Sequence, residues 1–338
     1  MNERKFIYDP NGYFNADEVL KSLFTFIFVT GARATGKTFS TLKSLIENRK
    51  KGEAFIYLRR TQEEADLQAI ESTSSLTKVL RYCKVNYSFR KITKSVGGIF
   101  IDDDLVFYTC ALSTFSKIRG VNFDNVKVAV YDEFIAEPHV RSFKAEGMAL
   151  NNFYESVNRN RELEGEVPLK LVCLSNSLNL ANDVFIEWDL IRPAEELARI
   201  KEGEIYTRNN TLLIIMKNSP ISEKKKETAL YQNASEEFAK MAIENKFILN
   251  DFTYIKKRNL KQFSIILQIG DLYLYRHKSE RLYYVTFVKG TTKNKYNTTQ
   301  ADLERFRRKE WRYYTRYLDG FVVFDSYEAI ALWEKYYK

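Results

Sequence analysis

Short, unbroken apolar runs alternate with amphipathic stretches over roughly the first 220 residues. Residues 24–30 form an apolar, β-branched and aromatic run of strand length, followed by Gly31 to Thr38 and then by the helical spacing of Leu42, Leu45 and Ile46. A second run, 54–58, ends in Arg59-Arg60, and Thr61 with Glu64 three residues later has the form of a capping box for the next helix. Residues 97–101 and 105–110 flank Asp102-Asp103-Asp104 as a hairpin with an acidic turn. Runs at 126–131, 169–174 and 212–216 predict three further buried strands, and 143–160 a helix. Strands alternating with helices in this way imply a mainly parallel sheet covered by helices on both faces.

The pattern changes after Asn218-Ser219-Pro220. Residues 223–227 are a run of charge, and Ser235-Glu236-Glu237 opens a helical spacing through Phe238, Met241 and Ile243, so 218–249 is a candidate linker. Beyond it, apolar strands at 263–269, 272–275 and 282–288 surround Gly270-Asp271 and precede a basic helical stretch with Arg305, Arg307, Arg308 and Lys309, an α+β pattern for 250–338. The expected organisation is therefore an α/β domain over 1–217, a short helical linker, and a small α+β domain. No internal repeat or low-complexity tract interrupts it.

Composition sharpens this picture in two ways. The formal charge is +9 over 338 residues, and residues 251–338 alone hold 18 Lys and Arg against 10 Asp and Glu, a net +8. A near-neutral first part is thus joined to a basic second part suited to an anionic partner. Three scattered cysteines (Cys83, Cys110, Cys173) and two histidines fit neither a disulfide framework nor a His-rich metal site, which points to a reduced, cytoplasmic compartment. The apolar stretch 23–29 is too short to span a membrane and lies behind Asp9, Asp17 and Glu18, unlike a signal peptide.

The chemistry is concentrated at strand ends. Gly31-Ala32-Arg33-Ala34-Thr35-Gly36-Lys37-Thr38 fits G-x-x-x-x-G-K-[ST] between a strand and a helix, the context the pattern demands. Its glycines let backbone N–H groups wrap nucleotide phosphates, with the helix dipole, the Lys37 charge and a Thr38 hydroxyl for Mg²⁺ adding to the site. At the end of 126–131 come Asp132 and Glu133. Successive strand side chains point opposite ways, so Asp132 can serve the metal shell while Glu133 polarises the attacking water. Candidate arginine fingers or equivalent bases are Lys117, Arg119, Arg141, Arg159 and Arg161. Ser175-Asn176, after the 169–174 strand, can sense a terminal phosphate or simply end a strand.

GARATGKT followed by FIYLRR, then VAVYDEF, NFYESVNRNRE and VCLSNS, resemble the DNA-packaging ATPases of small tailed bacteriophages with protein-primed linear genomes, a compact branch of terminase large-subunit-like motors. The resemblance covers about the first 220 residues. It implies a P-loop NTPase of the additional-strand, catalytic-glutamate type that uses ATP and Mg²⁺ to drive double-stranded DNA into a procapsid. It further implies a homomeric ring, a pentamer in the family, at the portal in the cytoplasm of the infected host, with no membrane partner and with a structural RNA left open. Carried over by position, Gly31 to Thr38 match the phosphate loop, Asp132 and Glu133 the carboxylate pair, and Ser175-Asn176 the coupling strand end. A trans-acting arginine falls on Arg159 or Arg161 and a second trans-acting base on Lys117 or Arg119.

The C-terminal part then resembles an RNase H-like nuclease scaffold without active nuclease chemistry, because Asp271, Glu280 and Asp325 do not form a cluster able to hold two metals. Twelve tyrosines after residue 250 could either stack on nucleic acid or pack a small sheet. Two other classes fit parts of the sequence. A nucleotide kinase accounts for the phosphate loop but not for Glu133 beside Asp132, and a nucleotide-gated assembly protein differs from a motor only in turnover.

Overall fold

The computed structural model describes residues 3–118, 120–136, 145–176, 180, 182–199, 203–217, 219–225, 227–233 and 255–337. The expected helix from Ser235, Arg119 and Arg141 lie outside them. The chain divides into two compact units, Met1–Asn179 with Leu197–Phe247, and Leu180–Glu196 with Ile248–Lys338. A single cut at residue 217 does not reproduce this division, since Leu180–Glu196 groups with the C-terminal strands.

Among the described residues the first unit holds nine strands: β1 (Phe26–Gly31), β2 (Ala54–Arg59), β3 (Tyr87–Thr93), β4 (Val96–Ile101), β5 (Asp104–Ala111), β6 (Val126–Asp132), β7 (Lys170–Ser175), β8 (Ile205–Arg208) and β9 (Thr211–Met216). Their order is β3-β4-β5-β2-β6-β7-β1-β9-β8. The six from β5 to β9 in that order run parallel, while β3, β4 and β8 add antiparallel edges. Apart from 97–101, which lies in antiparallel β4, the apolar runs are the parallel strands, because a strand covered on both faces needs apolar side chains at every position. On β1, Ile27 and Val29 pack with Leu42 and Leu45 of the helix Lys37–Glu47 on one face. Phe26 meets Tyr154 of the helix Glu146–Asn158 and Phe28 meets Phe134 on the other, as the two-residue alternation of a strand requires.

The expected hairpin forms, with Asp102 (φ 50°) and Asp103 (φ 65°) in its turn. Thr61 and Glu64 complete both halves of the capping box. Strands β3 and β8 were not legible as strands. β3 lies at a sheet edge with half its residues exposed, so it carries no apolar run.

The second unit contains β10 (Phe263–Ile269), β11 (Leu272–His277), β12 (Tyr283–Thr286), β13 (Lys295–Tyr296) and β14 (Val322–Phe324), ordered β13-β10-β11-β12-β14. β12 stops short of the expected 288, and Val288 is exposed. Helices Gln300–Leu318 and Tyr327–Tyr337 accompany the sheet. Tyr273, Tyr275, Tyr284, Tyr296, Tyr313, Tyr327, Tyr336 and Tyr337 are all buried, so most of the tyrosine surplus packs this small core rather than facing outward. The segment from Leu180 joins the same unit: Glu195 accepts from the Tyr327 amide (3.1 Å) and Arg192 pairs with Glu328 (3.2 Å). No described helix is long and apolar enough to cross a membrane.

Candidate functional site

The parallel strands bring their C-terminal ends to one edge: Thr30 pairs in register with Ser175, Asp132 with Leu174, and Gly31 with Met216. Ligands of open parallel sheets sit outside this edge. Gly31 is required there, because a Cβ would lie 2.8 Å from the Met216 Cβ. Gly36 adopts φ +83°, disfavoured for any L side chain, and caps the helix Lys37–Glu47 without a side-chain bond. The N-terminus of that helix opens on the loop, where the helix dipole favours an anion.

Lys37 is 4% exposed and donates from Nζ to the carbonyls of Gly31 (3.0 Å) and Ala32 (2.8 Å) and to Thr35 Oγ1 (3.1 Å). Its ammonium thus lies inside the loop, within reach of any phosphate the loop encloses. Arg33 and Ala34 are exposed on the loop, with Ala34 at φ 58°. Phe14 braces the loop by donating its amide to the Thr35 carbonyl (2.9 Å).

Thr38 Oγ1 donates to Asp132 Oδ1 at 2.9 Å. Adjacent oxygen ligands about 2.1 Å from an octahedral Mg²⁺ lie about 3 Å apart, so this pair of oxygens fits that ion. Asp132 Oδ2 accepts from Tyr57 OH (2.6 Å) and Arg59 Nη1 (3.1 Å), and Arg59 Nη2 reaches Glu133 Oε2 (2.7 Å). One guanidinium therefore bridges both carboxylates. Burial opposes its charge, but Tyr57, Asp132 and Glu133 outweigh that and raise its pKa. Burial, reinforced by Asp132, also pushes the Tyr57 phenol well above its ordinary value, which keeps it a donor.

Tyr57 and Arg59 lie within FIYLRR, but the sequence assigns neither a role. The signal was an Arg-Arg pair closing an apolar strand, but its meaning needs β2 beside β6, and strand order is not written in local pattern. Arg60, next to it, is 3% exposed and points to the other side of the strand, donating to Glu146 (3.1 Å) and to the Glu133 carbonyl (2.7 Å).

Ser175 is buried beside β1 and Asn176 half-buried after it, at the same edge as the loop. Lys117 is exposed in the 3₁₀ helix Leu112–Ile118, which follows β5 at that edge; Ser113 there donates its amide to the Arg60 carbonyl (3.1 Å). Arg159 and Arg161 lie elsewhere. Both contact the segment entering β6, about 20 Å of strand from Asp132 at ~3.3 Å per residue. Arg159 is half exposed and pairs with Asp124 (3.0 Å). Arg161 is 6% exposed and donates to the carbonyls of Val126 (2.6 Å), Phe123 (3.0 Å) and Asp124 (3.2 Å). A guanidinium held this way is committed to its own chain, whereas that of Arg159 is half exposed.

A glycine loop, a hydroxyl and two acids gathered at the ends of parallel strands define a nucleotide-hydrolysing α/β protein. The sequence matches the family of the podovirus DNA encapsidation protein (Gp16) over residues 8–322, and the chain belongs to that family of phage genome-packaging ATPases. No curated protein matches it. Among solved structures, the phi-28 gp11 DNA packaging motor is similar at a TM-score of 0.68 with 20% identity, covering 97% of this chain and 98% of that one. The bacteriophage phi-29 viral genome packaging motor assembly is similar at 0.64 with 21% identity, covering 96% and 99%. The fold is thus shared along nearly the whole length.

Proposed function

We propose that the chain is the ATP-driven translocase that moves double-stranded DNA into a preformed procapsid, hydrolysing ATP at the interfaces of a homomeric ring, a pentamer by family likeness, docked at the portal. The observation that carries this reading is the Thr38–Asp132 contact of 2.9 Å with Glu133 next in sequence, set against the Gly31–Thr38 loop. β7 lies between β1 and β6, and this intervening strand supports the additional-strand, catalytic-glutamate class of P-loop NTPase.

In this reading the loop amides and Lys37 bind the phosphates, and Thr38 and Asp132 hold Mg²⁺. That ion, when bound, neutralises phosphate charge. Glu133 takes a proton from the attacking water. Arg59, which spans both carboxylates, holds them against mutual repulsion. Ser175 and Asn176, at the same strand-end edge as the loop, sense the terminal phosphate. Arg159, with Lys117 or Arg119, supplies positive charge to a neighbour's phosphate. The units around residues 1–217 and 250–338 act as motor and as nucleic-acid or portal contact, joined by the 218–249 linker.

The C-terminal unit is read as a nuclease-like scaffold that no longer cuts. Its acids support this: Asp325 is taken up by Thr286 Oγ1 (2.6 Å), the Phe287 amide (3.1 Å) and Ser326 Oγ (2.9 Å), while Asp271 sits in a turn. Lys256, Lys257, Arg258, Arg308 and Lys309 are exposed and suit phosphate contacts that are indifferent to base sequence, on DNA or on a structural RNA. The steady-state ATPase rate of the full chain, measured against its own concentration with and without duplex DNA, tests the proposal. The rate per subunit should rise steeply with concentration and further with DNA. A rate independent of both would reject a ring motor.

A further inference from the structure

Glu133 occupies an unusual backbone state, φ +59°, which costs a side-chain-bearing residue energy and persists only where surroundings impose it. The turn is held from two sides, by the Leu174 carbonyl, which accepts from the Phe134 amide (3.1 Å), and by Arg60. Arg60 Nη2 donates to the Glu133 carbonyl at 2.7 Å, and its Nε donates to both oxygens of Glu146, at 3.1 and 3.2 Å. Tyr131, one strand position before Asp132 and fully buried, donates its hydroxyl to Glu146 from the same side. Arg60 and Glu146 are 3% exposed each. The main chain of Arg60 is fixed as well: its amide donates to Glu64 (3.1 Å), and its carbonyl accepts from Ser113.

A buried ion pair is a poor means of stabilising a fold, since well-packed apolar residues of similar volume serve as well or better. Its contribution here is directional. An apolar pair fills the same space but cannot hold a carbonyl, and the Glu133 carbonyl is one of the two points that fix the turn on which the carboxylate is mounted.

We propose that Arg60 and Glu146, steadied by Tyr131, are positioning residues for Glu133: they hold its backbone left-handed so that the carboxylate faces the loop edge rather than following the strand inward. The inference rests on Glu133 being the water-activating group. Because Glu146 is the first residue of the helix Glu146–Asn158, and Arg159 caps the far end of that helix, the same pair ties the catalytic turn to the element that carries the base offered to a neighbour.

The deciding variant is the double substitution Arg60→Met with Glu146→Leu in the full chain, which removes both buried charges together. Folding should be retained by circular dichroism, ATP affinity should stay within about threefold, and kcat should fall ten- to a hundredfold. A folded double variant with kcat within twofold of the parent would overturn the proposal. Should that variant not fold, Arg60→Lys decides: a single ammonium keeps the charge beside Glu146 but cannot fork to the Glu133 carbonyl, so kcat should fall with affinity kept, and an unchanged kcat would overturn the proposal equally. Glu133→Gln runs alongside as the control. If it retains hydrolysis, the underlying assignment of Glu133 is wrong; if it abolishes hydrolysis while the pair variants do not, only the positioning role fails.

Discussion

The two sheets handle charge differently, although the C-terminal unit also buries Glu310, which accepts from Tyr296 (2.9 Å). At the loop edge of the nine-stranded sheet, Arg59, Arg60, Asp132 and Glu146 are buried or nearly so, and each meets an opposite charge within 3.3 Å. In the C-terminal unit the interior is aromatic, with Phe306, Trp333 and Tyr337 in mutual ring contact, and the bases Lys256, Lys257, Arg258, Arg308 and Lys309 stand in water. Buried and paired charge is expensive unless its geometry is tight, so it is found where geometry matters, at a reaction centre. Exposed charge holds no geometry and acts by sum, which suits contact with a regular anionic polymer that must slide.

The strongest way to test the first half of that contrast is to remove charge without changing shape. Glu133→Gln should leave ATP binding, read by a fluorescent nucleotide, close to the parent while hydrolysis falls about a hundredfold or more. Lys37→Ala should instead weaken nucleotide binding itself. Hydrolysis surviving in the Gln variant would place the reactive carboxylate elsewhere.

Arg159 and Arg161 carry the contrast within a single loop. Arg161→Ala removes a donor from three carbonyls, of which Phe123 keeps the Val126 amide (3.0 Å) and Asp124 is partly open to water, and should cost roughly 1–3 kcal/mol of stability in denaturant unfolding. Arg159→Ala, on an exposed pair, should cost at most about 1 kcal/mol, yet give a chain that is inactive alone. Mixed with Glu133→Gln chains it should regain turnover, because an intact base then meets an intact arginine across an interface. Mixtures never exceeding the sum of the separate activities would remove Arg159 from the neighbour's site.

A smaller effect concerns Arg59. Arg59→Ala leaves Asp132 and Glu133 without their shared cation, so the thermal midpoint should drop by the equivalent of about 1–3 kcal/mol. Mg²⁺ should then raise that midpoint more in the variant than in the parent, since a ligand that binds only the folded state stabilises it by mass action. Equal Mg²⁺ shifts would show that Arg59 does not compete with the ion for the acids.

Legibility follows the same division. The Gly31–Thr38 loop and the Asp132-Glu133 pair could be read directly because their chemistry fixes residue types at fixed spacing within one stretch of chain. Arg59, Arg60 and Glu146 could not, since their partners lie 73 to 86 residues away and meet only through strand order. The surroundings of Arg161 were hidden for the converse reason: an arginine in a polar loop reads as solvated, and nothing local shows that three carbonyls gather on it. In the C-terminal unit β10, β11 and β12 were recognisable, the short β13 and β14 were not, and the tyrosines were ambiguous. Burial, rather than composition, decides what an aromatic ring does, and eight of the eleven among the described residues are buried.

Two adjacent helix positions make the finest cut through the comparison. Arg307 donates Nε to the Tyr336 carbonyl at 2.9 Å and is half-buried, whereas Arg308 is exposed one residue on. Successive helical residues face about 100° apart, so the first belongs to the core contact with the helix Tyr327–Tyr337 and the second to the surface. Arg307→Ala should therefore cost about 1 kcal/mol of stability and leave the salt dependence of DNA binding unaltered. Arg308→Ala should leave stability within about 0.5 kcal/mol but lower the slope of log affinity against log salt by about 1, equally for duplexes of unrelated sequence, because one phosphate contact fewer releases one counterion fewer. The measurement is a titration of full-length chain with fluorescent duplex at several salt concentrations, beside an unfolding curve for each variant. Were Arg307→Ala to change the slope and Arg308→Ala only the stability, the face assigned to nucleic acid would be the wrong side of this helix.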